Sequence, residues 1–167
     1  MYPNATVIGV DRSLARLSKN GGFRQQSTED LDRVDNVFFV RAELADFWRL
    51  WLESSLGPIQ KHFLLYPNPY PKKRRFQSRW YAHPAFPLLR KLRGEEIVVR
   101  SNWCDFLDDF AGAMSIADEK ENDGLLYNAD GPTVLDPTQD AWTAFEQKYF
   151  NVGETSYEII FRKTRVE

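Results

Sequence analysis

One stretch of this 167-residue sequence concentrates the residues that could do chemistry: Tyr66-Pro67-Asn68-Pro69-Tyr70-Pro71-Lys72-Lys73-Arg74-Arg75-Phe76-Gln77-Ser78-Arg79-Trp80. Three prolines within five residues stiffen its lead-in, because each fixes its own φ and biases its predecessor away from the right-handed helix. A loop of this kind holds Asn68 in place with its amide available. Behind it, Tyr70, Phe76 and Trp80 interleave with five cations, a combination that suits stacking on unpaired bases and contact with phosphates. The competing reading is a solvated basic loop whose aromatics cap the core.

The elements that must position this loop are legible from apolar patterning. Four short β-branched or aromatic runs bounded by polar or turn residues predict buried strands at Thr6 to Val10, Asn36 to Val40, His62 to Tyr66 and Glu96 to Arg100. The loop therefore follows the third strand directly, at the carboxyl end where open α/β sheets bind ligands. Between the strands lie helical spacings. Leu14 and Leu17 follow Asp11, a candidate helix cap; Leu44, Phe47, Trp48, Trp51 and Leu52 share one helix face; so do Phe106, Leu107, Phe110, Ala111 and Met114. Gly21-Gly22 reads as a helix stop. Strands alternating with helices at this pitch predict βαβ units and a mostly parallel sheet. The tail departs from this, with a last strand over Thr155 to Phe161 and Gly124 to Tyr127 as its antiparallel neighbour.

Composition places these elements in one α/β domain over 1–167. The chain has 22 Lys and Arg against 24 Asp and Glu, 43% hydrophobic residues and 28% charged residues, which excludes collagen-like, low-complexity and disordered classes. No apolar run reaches the roughly 18 residues that span a bilayer. The opening Met1-Tyr2-Pro3-Asn4 has no basic region before an apolar core, so no signal peptide is expected, and the single cysteine, Cys104, points to a reducing cytoplasm. Charge is segregated along the chain. From Ser54 to Gly94 there is no acid, while Lys61, Lys72, Lys73, Arg74, Arg75, Arg79, Arg90, Lys91 and Arg93 all fall there. From Asp105 to Glu146 eleven acids face one base, Lys120. A basic face on a near-neutral protein points to an anionic partner. His62 and His83 lack neighbours at metal-ligand spacing, so no metal site is expected. Cys104 reads as a structural thiol.

The stretch from Phe63 to Phe86 resembles the bacterial tRNA (guanine-N7)-methyltransferase family, whose hallmark is Phe-Pro-Asp-Pro-Trp followed by Pro-Lys-Lys and a basic run. Thr143-Ala144-Phe145-Glu146 is similar to the family's Thr-x-Phe-Glu motif. Arg100-Ser101-Asn102-Trp103 stands where the family usually has Thr-Asp. The three motifs are collinear, and the resemblance runs from about Thr6 to Arg162.

The resemblance implies a Rossmann-like class I methyltransferase with S-adenosyl-L-methionine as cofactor and tRNA as partner. It implies a mostly parallel sheet with a C-terminal antiparallel strand pair. The family's first strand and Gly-rich turn, which meet the methionine part of the cofactor, have no counterpart here, so the domain is expected to be N-terminally incomplete. By resemblance, Asp11 would bind the cofactor's ribose, a role that also suits an acid at a strand end; Arg41 and Ala42 stand at the adenine contact. Asn68 takes the place of the family's catalytic and cofactor-contacting aspartate, and Asn102 that of its substrate-contacting aspartate. Lys72, Thr143, Phe145 and Glu146 match its substrate-binding positions, with Glu146 as the reader of guanine N1 and N2. Lys73, Arg74, Arg75 and Arg79 would contact the RNA backbone. Two classes of function follow: a methyltransferase of the tRNA guanine-N7 type or with another substrate, and a non-catalytic RNA-binding relative.

Overall fold

The computed structural model describes residues 5–19, 36–121 and 123–165. The Gly21-Gly22 pair lies outside them. The chain divides into two compact units, Met1–Ser55 and Leu56–Glu167.

In the first unit, β1 (Val7–Asp11) and β2 (Val37–Arg41) form a parallel pair, from Val7 opposite Val37 to Asp11 opposite Arg41. Gly9 permits this pair its packing: a Cβ there would stand 2.9 Å from the Phe39 ring, which lies across β1. Each strand runs into a helix, α1 (Leu14–Lys19) and α2 (Leu44–Glu53). Trp48 is fully buried on α2, and Phe47 and Trp51, one turn apart, bring their rings to 5.6 Å. Asp11 is not the cap of α1. Its carboxylate accepts from the Ser13 N–H at 2.7 Å, closing a turn, and the Ser13 carbonyl then receives the N–H groups of Arg16 and Leu17.

The second unit contains β3 (Lys61–Leu65), two short 3₁₀ turns at Lys73–Ser78 and Trp80–Ala82, α3 (Phe86–Lys91), β4 (Glu96–Ser101), α4 (Cys104–Glu121), β5 (Leu125–Asn128), β6 (Thr133–Val134), α5 (Ala144–Asn151) and β7 (Tyr157–Arg165). Its sheet has the order β3-β4-β7-β5, with β6 also on β7. β3 and β4 are parallel; β7 is antiparallel to β4, β5 and β6. The architecture is mixed α/β and fits a Rossmann-like class. The core lies around β4, buried along nearly all its length, against the α4 face of Phe106, Leu107, Phe110 and Met114. Phe110 meets Phe86 edge-on at 5.1 Å and Phe161 at 5.7 Å.

A buried cation ties α3 to α4 and β5. Arg90, 2% exposed, donates to Asp118 at 2.6 Å, to Asp123 at 2.6 Å and to the Leu125 carbonyl at 2.7 Å. Asp118 completes the junction by accepting the Tyr127 N–H at 2.7 Å. The Arg90 guanidinium is the main reason that the Asp123 carboxyl is held down at about 2. Among the described residues no helix is long and apolar enough to cross a membrane.

Candidate functional site

The carboxyl ends of β1 and β2 frame an open cavity of about 670 Å³ lined by Arg12, Ser13, Arg41, Ala42 and Glu43. Parallel register delivers Asp11 and Arg41 to the same level, and the Ala42 N–H donates to the Asp11 carbonyl at 3.3 Å. Arg41 Nε donates to the Arg12 carbonyl at 3.3 Å, while Arg12 pairs with Glu43 at 3.4 Å. Asp11 Oδ2 stands 3.3 Å from Arg16 Nε. Each Asp11 oxygen thus has one neighbour and keeps lone-pair capacity for a second donor. A strand-end carboxylate with spare acceptors thus precedes Arg12 and Ser13 in the lining of an open cavity.

In the second unit, the Tyr66 N–H donates to the Arg100 carbonyl at 2.9 Å and so extends the β3–β4 ladder by one bond. The backbone then turns sharply. Tyr66 and Tyr70 both adopt positive φ, 52° and 44°. Each precedes a proline and carries a Cβ, so the conformation costs on the order of 1–3 kcal/mol per residue. The surroundings hold it. The Tyr66 ring lies 5.5 Å from Tyr149, the Tyr70 carbonyl accepts from Arg79 Nε at 3.2 Å, and the Arg75 guanidinium sits 5.7 Å from the centre of the Tyr70 ring. Asn68 stands exposed between the two tyrosines. Its Oδ1 accepts the Tyr70 N–H at 3.1 Å, which leaves the Nδ2 amino group as the remaining donor of the side chain.

The structure narrows the basic face read from the sequence. Arg90 is buried; Lys61 pairs with Glu96, Lys91 with Glu121, and Arg93 with Asp123. Arg79 is also committed internally. Its guanidinium donates to the Tyr81 hydroxyl at 2.6 Å, lies 3.7 Å from Asp109, and is flanked by the Phe76 and Tyr81 rings at 5.5 and 5.8 Å. Arg79 thus braces the loop against α4. The Tyr81 hydroxyl in turn donates to Asp109 at 2.6 Å, and burial, reinforced by that bond, raises its pKa. Lys72, Lys73, Arg74 and Arg75 are exposed, and among the described residues none forms an ion pair.

Glu146, expected to face a base, is fully buried. One oxygen accepts from Arg100 at 2.8 Å and the other from the Trp142 N–H at 2.6 Å. Arg100 donates also to Glu158 at 2.8 Å. Thr143 is the cap of α5, its Oγ1 accepting the Glu146 N–H at 3.1 Å. The Thr-x-x-Glu spacing thus organises the helix start, and Glu146 reaches one residue beyond the cap to hold Trp142. Phe145 is 48% exposed on the first turn of α5. Asn102 donates to Glu154 at 3.1 Å. The Tyr66 hydroxyl is buried, and burial pushes its pKa up to about 12. The tertiary fold thus joins Glu146 and Thr143 to Arg100, Glu158 and Trp142, three residues to which sequence reading assigned no role. For two of them the signal was adjacency, since Arg100 opens one motif and Trp142 precedes another; Glu158, in β7, had none.

Among the described residues no group of three or more His, Cys, Asp or Glu could hold a metal ion. Burial lowers the His62 pKa to about 4. The Cys104 pKa is raised, by desolvation and then by Asp108 and Asp105, so its thiolate is disfavoured.

No family model matches the chain. Curated relatives named tRNA (guanine-N(7)-)-methyltransferase do match. The one from Aquifex aeolicus is 22% identical over 160 residues, covering 95% of this chain and 46% of the relative. Its counterpart from Neorickettsia sennetsu is 29% identical over 132 residues, covering 77% of this chain and 57% of the relative. A solved structure from Thermoplasma acidophilum, described as a candidate methyltransferase, is 13% identical at a TM-score of 0.48 and covers 96% of this chain and 57% of that one. The sequence likeness supports a methyltransferase family. This chain spans about half the length of the curated relatives it matches.

Proposed function

We propose that the chain is part of an S-adenosyl-L-methionine-dependent methyltransferase that modifies N7 of a guanine in tRNA. One observation carries the proposal: the strained Tyr66 to Tyr70 turn at the carboxyl end of β3 presents Asn68 directly ahead of four exposed cations that form no ion pair among the described residues. Strain of this kind persists where the surroundings over-determine it and is concentrated at functional sites. The curated relatives carry the same activity in their names, which supports the choice of reaction.

The chemistry asks little of a general base. Guanine N7 has an in-plane lone pair and no proton, so alignment is the main requirement. Asn68 supplies a donor from Nδ2, and guanine N7 and O6 are both acceptors; donation to O6 would orient the base and leave N7 open. Asp11, Arg41 and Ala42 would hold the nucleoside of the cofactor, which when bound supplies an electrophilic methyl group. Lys72, Lys73, Arg74 and Arg75 would meet phosphates, while Arg79 keeps their loop in place. Thr143, Phe145 and Asn102 would border the base, and Glu146 would act by holding Trp142 and Arg100. A non-catalytic RNA-binding relative is the second reading, favoured by the amides at Asn68 and Asn102 where the motifs that the sequence resembles have aspartates.

The test is transfer of a labelled methyl group from S-adenosyl-L-methionine to unmodified tRNA, with titration calorimetry of the cofactor alongside. Label at guanine N7 supports the enzyme. Binding of tRNA without cofactor binding or transfer selects the binding module, and absence of both tRNA and cofactor binding refutes the reading.

A further inference from the structure

Trp142 occupies an unusual position. The residue is 51% exposed although the Arg100 guanidinium lies 3.2 Å from the ring centre. The cation occupies one face of the ring, which leaves the opposite face as the side on which a base could stack. The ring also makes a T-shaped contact with Phe63 of β3 at 5.8 Å, and its backbone N–H is held by Glu146 at 2.6 Å. The cation beneath it is fixed as well, with Arg100 bound to Glu146 and Glu158 at 2.8 Å each. A large, rigid aromatic surface is therefore presented beside Thr143 and the exposed Phe145, with its back fixed by a buried charge.

We infer that Trp142 is a stacking platform for the target nucleobase, and that Arg100 behind it makes the platform prefer a neutral base over a positively charged one. The inference rests on the RNA-methyltransferase reading above and deepens it. Stacking on an aromatic side chain is a general means of holding an unpaired base. The face of an indole is normally electron-rich and attracts cations. Here Arg100 already draws on that density from behind and carries a like charge towards anything cationic in front. Methylation at N7 turns a neutral guanine into a cation. The substrate would therefore stack well on Trp142, and the methylated product would stack poorly and leave. Arg100 acts through Trp142 and is a positioning residue.

The experiment measures binding of the 167-residue chain to two fluorescein-labelled RNA pentanucleotides, one with a central guanine and one with central N7-methylguanine. Mildly acidic buffer keeps the N1 proton and the positive charge on the methylated base. The unmodified chain is expected to bind the neutral base several-fold more tightly. Trp142→Leu should weaken guanine binding about tenfold, the scale of one lost base stack, and should abolish the preference between the two RNAs. Trp142→Phe should recover most of both. Equal or tighter binding of the methylated RNA overturns the inference, as does unchanged binding by Trp142→Leu or failure to bind the guanine pentamer. Parallel titration with tRNA separates the causes: tRNA binding that depends on Lys73 and Arg74 leaves the RNA reading standing when the platform fails, and loss of tRNA binding removes both.

Discussion

The division of cations into exposed and committed groups makes a quantitative prediction. Lys72, Lys73, Arg74 and Arg75 form no ion pair among the described residues, whereas Arg79 is bound to the Tyr70 carbonyl, the Tyr81 hydroxyl and Asp109. Each cation that meets a phosphate contributes roughly 0.7–0.9 to the slope of log affinity against log salt, so replacing all four by Ala should flatten the slope for tRNA by about 3. Between about 50 and 200 mM salt the unmodified chain would then lose about 60-fold more affinity than the quadruple variant. Arg79→Ala should change the slope by less than about one, because its charge is spent inside the protein. Its effect should appear instead as a less stable loop, seen as faster amide exchange near Tyr70. Filter binding of labelled tRNA over a salt series is the assay. An unchanged slope in the quadruple variant, or a loss for Arg79→Ala as large as for the four together, would refute the reasoning.

Other expectations concern stability and use chemical denaturation. Removing Arg90 as Arg90→Ala leaves Asp118, 5% exposed, without its cation and should cost about 3–5 kcal/mol; a midpoint unchanged in urea would show that the junction is dispensable. Glu146→Gln keeps an acceptor for the Trp142 N–H but loses the charge facing Arg100, and should destabilise by about 1–3 kcal/mol, with Trp142 more mobile by fluorescence anisotropy. Thr143→Ala removes the cap of α5 and should cost about 1 kcal/mol. His62 titrates near 4 in the fold against 6.5 unfolded, so the unfolded chain takes up the proton first. Stability should be full above about pH 6.5 and fall as pH drops towards 4, by up to about 3 kcal/mol. His62→Gln should abolish that part of the decline, and an identical pH profile would contradict the assignment.

Local patterning determined much of this molecule. The four strand runs near Thr6, Asn36, His62 and Glu96 fall within a residue of β1 to β4, because short β-branched and aromatic runs flanked by turn residues have few alternatives. The segment Gly124 to Tyr127 reads as an antiparallel neighbour of a last strand over Thr155 to Phe161; β5 does run antiparallel to β7, but it pairs with Arg162 to Arg165, beyond that run, because β7 continues to Arg165. The loop carrying Asn68 was readable from its prolines, although the positive φ at Tyr66 and Tyr70 was not, since proline spacing restricts a backbone without selecting its handed turn. Charge was where linear reading failed. Basic residues between Ser54 and Gly94 and acids from Asp105 onward are separate along the chain, yet folding sets Lys91 against Glu121, Arg79 against Asp109 and Arg90 against Asp118. Likewise Glu146, matched in sequence to a base-reading position, is a buried ligand of Arg100 in space, 46 positions away. Composition and period determined which segments become strands, helices and a stiff loop, because those preferences act over a few neighbouring residues. Which charges face solvent and which neutralise one another was decided only by tertiary structure, because ion pairing and burial depend on distance through space.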